Sequence, residues 1–163
     1  MGYTTEFDGQ FAVTPAMDEE TITFLTKFAD TRRMGRDLTK LGLTREEADK
    51  YGVDGEFWVN GGSDFGQARD ASIIDYNESP RTQPGLWCHW IPAHNDPANF
   101  IEWDGGEKFY DAETWLEYLI IAVLEPRGYT LNGRVLAQGE EVSDRWTLDV
   151  MDNEVVVHHG IHL

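Results

Sequence analysis

Several stretches of this sequence bring together residue types that do chemistry. The run Glu102-Trp103-Asp104-Gly105-Gly106-Glu107-Lys108 sets carboxylates around a glycine pair. Such a cluster could hold a divalent cation or divide into an acid and a base. It reads equally well as a tight turn whose glycines supply the left-handed backbone. The Asp-x-Asp-x-Asp-Gly series of an EF-hand is missing. Along Leu86–Ile91, strand alternation sends Trp87 and His89 to one face and Leu86, Cys88 and Trp90 to the other. An exposed indole needs a cover, so Trp87 and Trp103 are candidates for stacking on a planar ligand or a partner, and plain core packing is the competing reading.

The histidines His89, His94, His158, His159 and His162 come without His-Glu-x-x-His or Cys-x-x-Cys spacing, which argues against a designed metal site. Cys88 and His89 are neighbours on one strand and point apart, so they are no nucleophile–base pair. Gly61-Gly62-Ser63-Asp64-Phe65-Gly66 lacks the Lys-Ser/Thr of a phosphate loop and opens no helix. Arg69 and Arg81 lie further along the same loop and could meet an anionic group. Asp70 and Asp75 complete the candidates. The patterns assign no catalytic residue, no metal ligand and no cofactor.

These residues must be positioned by a chain of 163 residues, a length suited to one domain with an ample core. Hydrophobic residues make up 40% and six are Trp, which excludes wholesale disorder. Thirty acids against thirteen bases give −17, which argues against direct binding to nucleic acid or to an anionic membrane. The charge is uneven. Residues 27–50 hold seven of the bases, whereas from residue 86 onward fourteen acids face four bases. A lone Cys88, no secretory segment after Met1 and no long apolar run point to a soluble protein of the cytoplasm.

Alternation predicts a strand over residues 3–13, with Tyr3, Thr5, Phe7, Phe11 and Val13 on one face. Asp18 then caps a helix carrying Ile22, Leu25, Phe28 and Ala29, with Glu19 and Glu20 at its start and Arg32, Arg33 and Arg36 near its end to suit the dipole. Thr44 and Glu47 form a capping box for a short helix. A strand over Glu56–Asn60 precedes a long loop from Gly61 to Gly85, pinned in its middle by Ile73, Ile74 and Tyr76. Leu86–Ile91 and Phe100–Trp103 are the next strands. Asp111 caps the most apolar helix, which runs to Leu124, and strands over Leu131–Gln138, Arg145–Met151 and Glu154–Val157 follow. Asp152-Asn153 is the turn between the last two. The expected fold is α+β: a mostly antiparallel sheet with two main helices on one side, for which a ferredoxin-like split arrangement is one layout, in a single domain with a partly anchored loop over residues 61–85.

Larger segments carry a resemblance. Gln83-Pro84-Gly85-Leu86-Trp87-Cys88-His89-Trp90, Ile101 to Tyr110, Trp115-Leu116-Glu117-Tyr118-Leu119-Ile120, Gly128-Tyr129-Thr130-Leu131-Asn132-Gly133 and the pattern around Gly66-Gln67, Asp70 and Asp75-Tyr76-Asn77 resemble an uncharacterised family of small acidic bacteriophage- or prophage-encoded proteins. The resemblance covers most of the chain after about Glu56 and implies a phage accessory protein in the host cytoplasm. It transfers no catalytic residue.

Together these readings favour a non-catalytic protein that binds a host component, with blunting of a host defence as one role. Its partner would be a host protein with a basic surface, or a small nucleotide-like molecule held between Trp87 or Trp103 and the long loop with Arg69 or Arg81 on phosphate. A cation-dependent hydrolase using Glu102, Asp104 or Asp70 and a virion structural protein are the remaining alternatives. Tyr118 and Ile121 widen the apolar face of the Asp111–Leu124 helix, and a homodimer contact is one way to cover them.

Overall fold

A computed structural model describes residues 2–93 and 99–160 of the chain. His94 and His162 lie outside the described residues. Contacts group the chain into two compact units, Met1–Thr23 with His89–Leu163 and, separately, Phe24–Cys88, where the sequence reads as one domain.

The first unit is built on a six-stranded sheet. Its strands are β1 (Glu6–Thr14), β2 (Trp90–Pro92), β3 (Phe100–Trp103), β4 (Thr130–Gln138), β5 (Arg145–Met151) and β6 (Glu154–His159). Their order in the sheet is β2-β3-β1-β4-β5-β6, and every neighbouring pair is antiparallel. The helices are α1 (Glu19–Ala29), α2 (Arg45–Lys50) and α3 (Ala112–Leu119). With α1 after β1 and α3 after β3, strands β1 to β4 follow the split βαβ order of a ferredoxin-like sheet, and β5 and β6 extend it as a meander. The fold is α+β.

Register fixes the two faces. Phe7, Phe11 and Val13 line up with Ala137, Gly133 and Leu131 on β4; the first two rows continue into Trp146 and Val150 on β5, where Leu148 faces Val135. These residues form the inner face, where Phe11, Leu131, Val135 and Leu148 are fully buried. The intervening residues, among them Glu6, Asp8, Gln10, Arg134 and Met151, are exposed on the outer face. Gly9 and Gly133 let β1 and β4 close up, with φ of +119° and +142°. A Cβ at Gly133 would stand 2.8 Å from the Gln10 carbonyl oxygen, so only glycine fits.

Helix α3 lies against β6, and its buried Trp115, Leu116 and Leu119 feed the core. Trp90 on β2 donates its indole N–H to the Ala112 carbonyl at 2.9 Å, tying the first turn of α3 to the sheet. Burying a side chain of this size is worth roughly 1.5–3 kcal/mol. After Leu119 the helix widens into a π turn over Ile120–Leu124, closed by the Glu125 N–H on the Ile120 carbonyl at 2.8 Å. The sequence reads this stretch as one helix capped by Asp111. Asp111 does hold the N-cap position, but at φ +56°, and its side chain makes no capping bond, because capping needs extended backbone there. Asp18, by contrast, accepts the Thr21 N–H at 2.8 Å as expected. The Thr21 side chain first, and then this backbone bond, hold the Asp18 carboxyl below its ordinary pKa. Asp152 and Asn153 form the β5–β6 turn with φ of +46° and +71°, the type I′ signature.

In the second unit α2 keeps its capping box: Thr44 accepts from the Glu47 N–H, and the Glu47 carboxylate accepts from the Thr44 N–H. Most of the rest is irregular chain around two buried arginines. Sequence logic places Arg33 and Arg36 at the end of α1, but α1 stops at Ala29 and both side chains are buried. Arg33 donates to the carbonyls of Trp58 at 2.6 Å and Glu56 at 2.7 Å and stacks on Phe28 at 4.0 Å. The expected Glu56–Asn60 strand is therefore absent, since those carbonyls serve a guanidinium instead of a ladder. The expected Leu86–Ile91 strand shrinks to β2 for a related reason: the Leu86 carbonyl accepts the Arg33 N–H at 2.8 Å.

The long loop is a string of Asx turns. Asp64, Asp70 and Asp75 accept the N–H two residues on, from Gly66 at 3.1 Å, Ser72 at 2.8 Å and Asn77 at 2.8 Å. Its middle is pinned by an Arg36–Ile73 bridge and by Tyr76, whose ring carries Arg32 at 4.3 Å and Arg69 at 4.1 Å. Ile74 is exposed.

Candidate functional site

The sheet unit gathers aromatic rings where β1, β4 and β5 end. Register places Phe7, Ala137 and Trp146 in one row across three strands. Ala137 is too small to separate its neighbours, so the rings of Phe7 and Trp146 meet over it at 5.8 Å, perpendicular to each other. On the other side of β1, pairing with β3 is confined to Phe11 and Ala12. Past that point Trp103 turns its ring to Phe7 at 5.6 Å and 61°. The Trp103 indole N–H is anchored on the Gly106 carbonyl at 3.1 Å, which fixes the ring. Phe109 and Trp90 close the cluster behind Phe7 at 5.8 Å and 5.4 Å.

These rings border a cavity of about 280 Å³ lined by Glu6, Phe7, Asp8, Trp103, Leu136, Ala137, Gln138, Arg145 and Trp146. Glu6 and Asp8 flank Phe7 on β1, so the lining takes two acids and Arg145 from one side of the pleat and ring-bearing residues from the other. Arg145 forms no ion pair among the described residues. Acids and aromatic residues in one lining suit a cationic group: the rings attract it by their quadrupole and the acids by charge. The surrounding field has the same sign, for this unit carries nineteen acids and four bases.

Of the residues singled out from sequence, Trp103 belongs to this cavity. His89 and Asp104 are brought together, with the His89 Nδ1 2.9 Å from both Asp104 carboxylate oxygens and its ring against Phe109 at 4.9 Å. Asp104 also accepts the Gly106 N–H at 2.7 Å, and Gly105 takes φ +83°, so the acidic-glycine run is a folded turn. Glu102 accepts from the Gln10 amide at 2.9 Å. Trp87, Arg69, Asp70, Asp75 and Arg81 belong to the other unit. There Trp87 is half-buried, Arg69 lies on Tyr76, Arg81 pairs with Asp54 at 3.4 Å, and Asp70 is bound to Ser72 and Arg36. Among the described residues no three His, Cys, Asp or Glu side chains stand close enough to hold a metal ion. No helix among them is long and apolar enough to cross a membrane.

Sequence reading missed Phe7, Trp146, Arg145, Glu6 and Asp8 as site residues. The signal was there in part: Phe7 sits in an alternating strand between two acids, and Trp146 opens a strand. Their meeting depends on the β1–β4–β5 register, which no local pattern encodes. Neither a protein-family model, nor a curated protein, nor a solved structure matches this chain.

Proposed function

We propose that this protein acts by binding a partner protein through a basic surface, with an arginine or lysine side chain of the partner entering the cavity between Trp103 and Trp146. The observation that carries this reading is the cavity lined by aromatic residues with Glu6 and Asp8 within a unit of nineteen acids and four bases. Charge of one sign over a whole unit steers a basic partner into place, and the indoles then supply a desolvated contact. The phage-family resemblance supports a host protein as that partner and counter-defence inhibition as the role. A small nucleotide-like ligand fits less well, since Arg69 and Arg81 already have partners within their own unit.

The test uses a fluorescent arginine-rich peptide as the probe. It should bind, quench Trp fluorescence and lose affinity as NaCl rises, because screening shortens the reach of surface charge to about 8 Å at physiological ionic strength. Trp103→Ala and Trp146→Ala should each weaken binding about fivefold to thirtyfold, the range of one cation–π contact. Arg145→Glu should strengthen it by removing the one cation of the cavity. Binding that ignores both indoles, or that Arg145→Glu leaves unchanged, rules the cavity out.

A further inference from the structure

Strand β6 is the last strand of the sheet and one of its two edges. Natural edge strands are blunted by Lys, Pro, a bulge or a cover. Strand β6 reads Glu-Val-Val-Val-His-His and has none of the first three. Val156 is 42% exposed on its outer face, and Val155 and Val157 are half-buried on its inner face.

The hydrogen-bonding direction of each residue follows from the ladder. The Gly160 N–H donates to the Arg145 carbonyl on β5 at 3.0 Å. Residues of the same parity, His158, Val156 and Glu154, therefore turn their backbone groups to β5. Val155, Val157 and His159 turn theirs to the open edge. Any strand added to β6 must pair with these three.

We propose that the added strand is β6 of a second copy of this chain, antiparallel, about a two-fold axis through Val156. A two-fold normal to the sheet pairs residues of equal parity, which leaves three registers, centred on Val155, Val156 or Val157. Centring on Val155 sets Glu154 against Val156. Centring on Val157 sets Val156 against His158. Only the Val156 register is self-complementary. It pairs Val155 with Val157 of the second copy in both directions, using the outward N–H and C=O groups, and places Val156 against its own copy. Glu154 then faces His158 of the second copy, twice over. Asp149, which faces Val156 on β5, pairs with Arg134 and lies 3.2 Å from the His158 Nε2. Hydrogen-bonding and β-branched cross-strand pairs stabilise such a ladder. The result is one continuous twelve-stranded sheet, an isologous dimer.

The Val156 pair is a non-hydrogen-bonded site, where facing Cα atoms approach about 4.5 Å, within disulfide range. Val156→Cys should therefore oxidise to a covalent dimer, while Glu154→Cys, which faces a histidine, should not. Cys88 is buried and does not compete. In sedimentation velocity the native chain should dimerise more strongly as NaCl rises, because salt screens the repulsion of two acidic units. This is opposite to the salt dependence of binding to a basic peptide, so the two proposals fail separately. Val156→Lys, an exposed change that sets like charges face to face, should give monomers of unchanged melting temperature. A native chain that stays monomeric over a broad concentration range, or a Val156→Cys chain that cross-links no faster than Glu154→Cys, overturns the proposal.

Discussion

The guanidinium of Arg36 lies 3.8 Å from the centroid of the Trp58 indole, and its side chain is almost wholly buried. One Arg36 nitrogen donates to Ser72 Oγ at 2.9 Å and to Asp70 at 3.2 Å, and another to the Gly66 carbonyl at 3.1 Å. A single side chain thus ties Trp58 to three positions of the long loop. Around it a unit with little regular structure is organised: the arginine stem fills apolar space while its planar head satisfies groups that no ladder serves.

Arg36→Met should cost about 1–3 kcal/mol, since it keeps volume but leaves the buried Ser72 and Gly66 acceptors without their donor. Arg36→Lys should recover little, because an ammonium cannot stack on Trp58 and reach all three partners at once. Hydrogen exchange is the measurement. Protection should fall across residues 24–88 and persist in β1 and β4. Unchanged protection in residues 64–76 would mean that the arginine is incidental to the loop.

Acid should act on the same contact. The Asp70 carboxyl is held below its ordinary pKa, first by the Ser72 hydroxyl, then by the Ser72 N–H and by Arg36. A depressed folded-state pKa contributes stability that is present above the unfolded value and is lost as pH falls through the folded one. Loss should therefore begin below about pH 4, where a free aspartate takes up its proton. The carboxylate is half-exposed, so solvent screening holds the effect to under about 1 kcal/mol. Urea midpoints measured from pH 6 down to pH 3 should show a shallower fall for Asp70→Asn than for the native chain. Parallel curves would remove Asp70 from the acid response.

Local patterns made part of this molecule legible in sequence. Alternation announces β1, the Asp152-Asn153 turn announces β5 and β6, and three-residue spacing announces the Asp18 cap and the Thr44–Glu47 box, because each signal and its cause lie within a few residues. The buried arginines were illegible for the opposite reason. Nothing near Arg33 or Arg36 distinguishes an arginine that closes a helix from one that collects carbonyls 23 to 30 positions away. Trp58 imitates a strand residue, yet it serves two guanidinium groups, Arg33 through its carbonyl and Arg36 through its ring. The cavity was half legible: Trp103 stood out by type, whereas Phe7 and Trp146 matter only through the Ala137 row that joins them.

The π turn offers a last test, at Ile121. The sequence gives the Asp111–Leu124 segment apolar residues around most of its circumference, so some of them must lack a core to enter. In the structure Ile120, Val123 and Leu124 are buried and Ile121 is 69% exposed. The wider π turn rotates Ile121 outward while its neighbours stay in the core. Ile121→Glu should therefore change stability by no more than about 0.5 kcal/mol, the usual range for a surface site. Its melting temperature should match that of the native chain. If β6 is the dimer contact, sedimentation should also be unaffected, whereas Val156→Lys should abolish the dimer. A dimer lost in Ile121→Glu and kept in Val156→Lys would move the interface from the sheet edge to the outer side of this turn, the surface that the apolar excess of the helix first suggested.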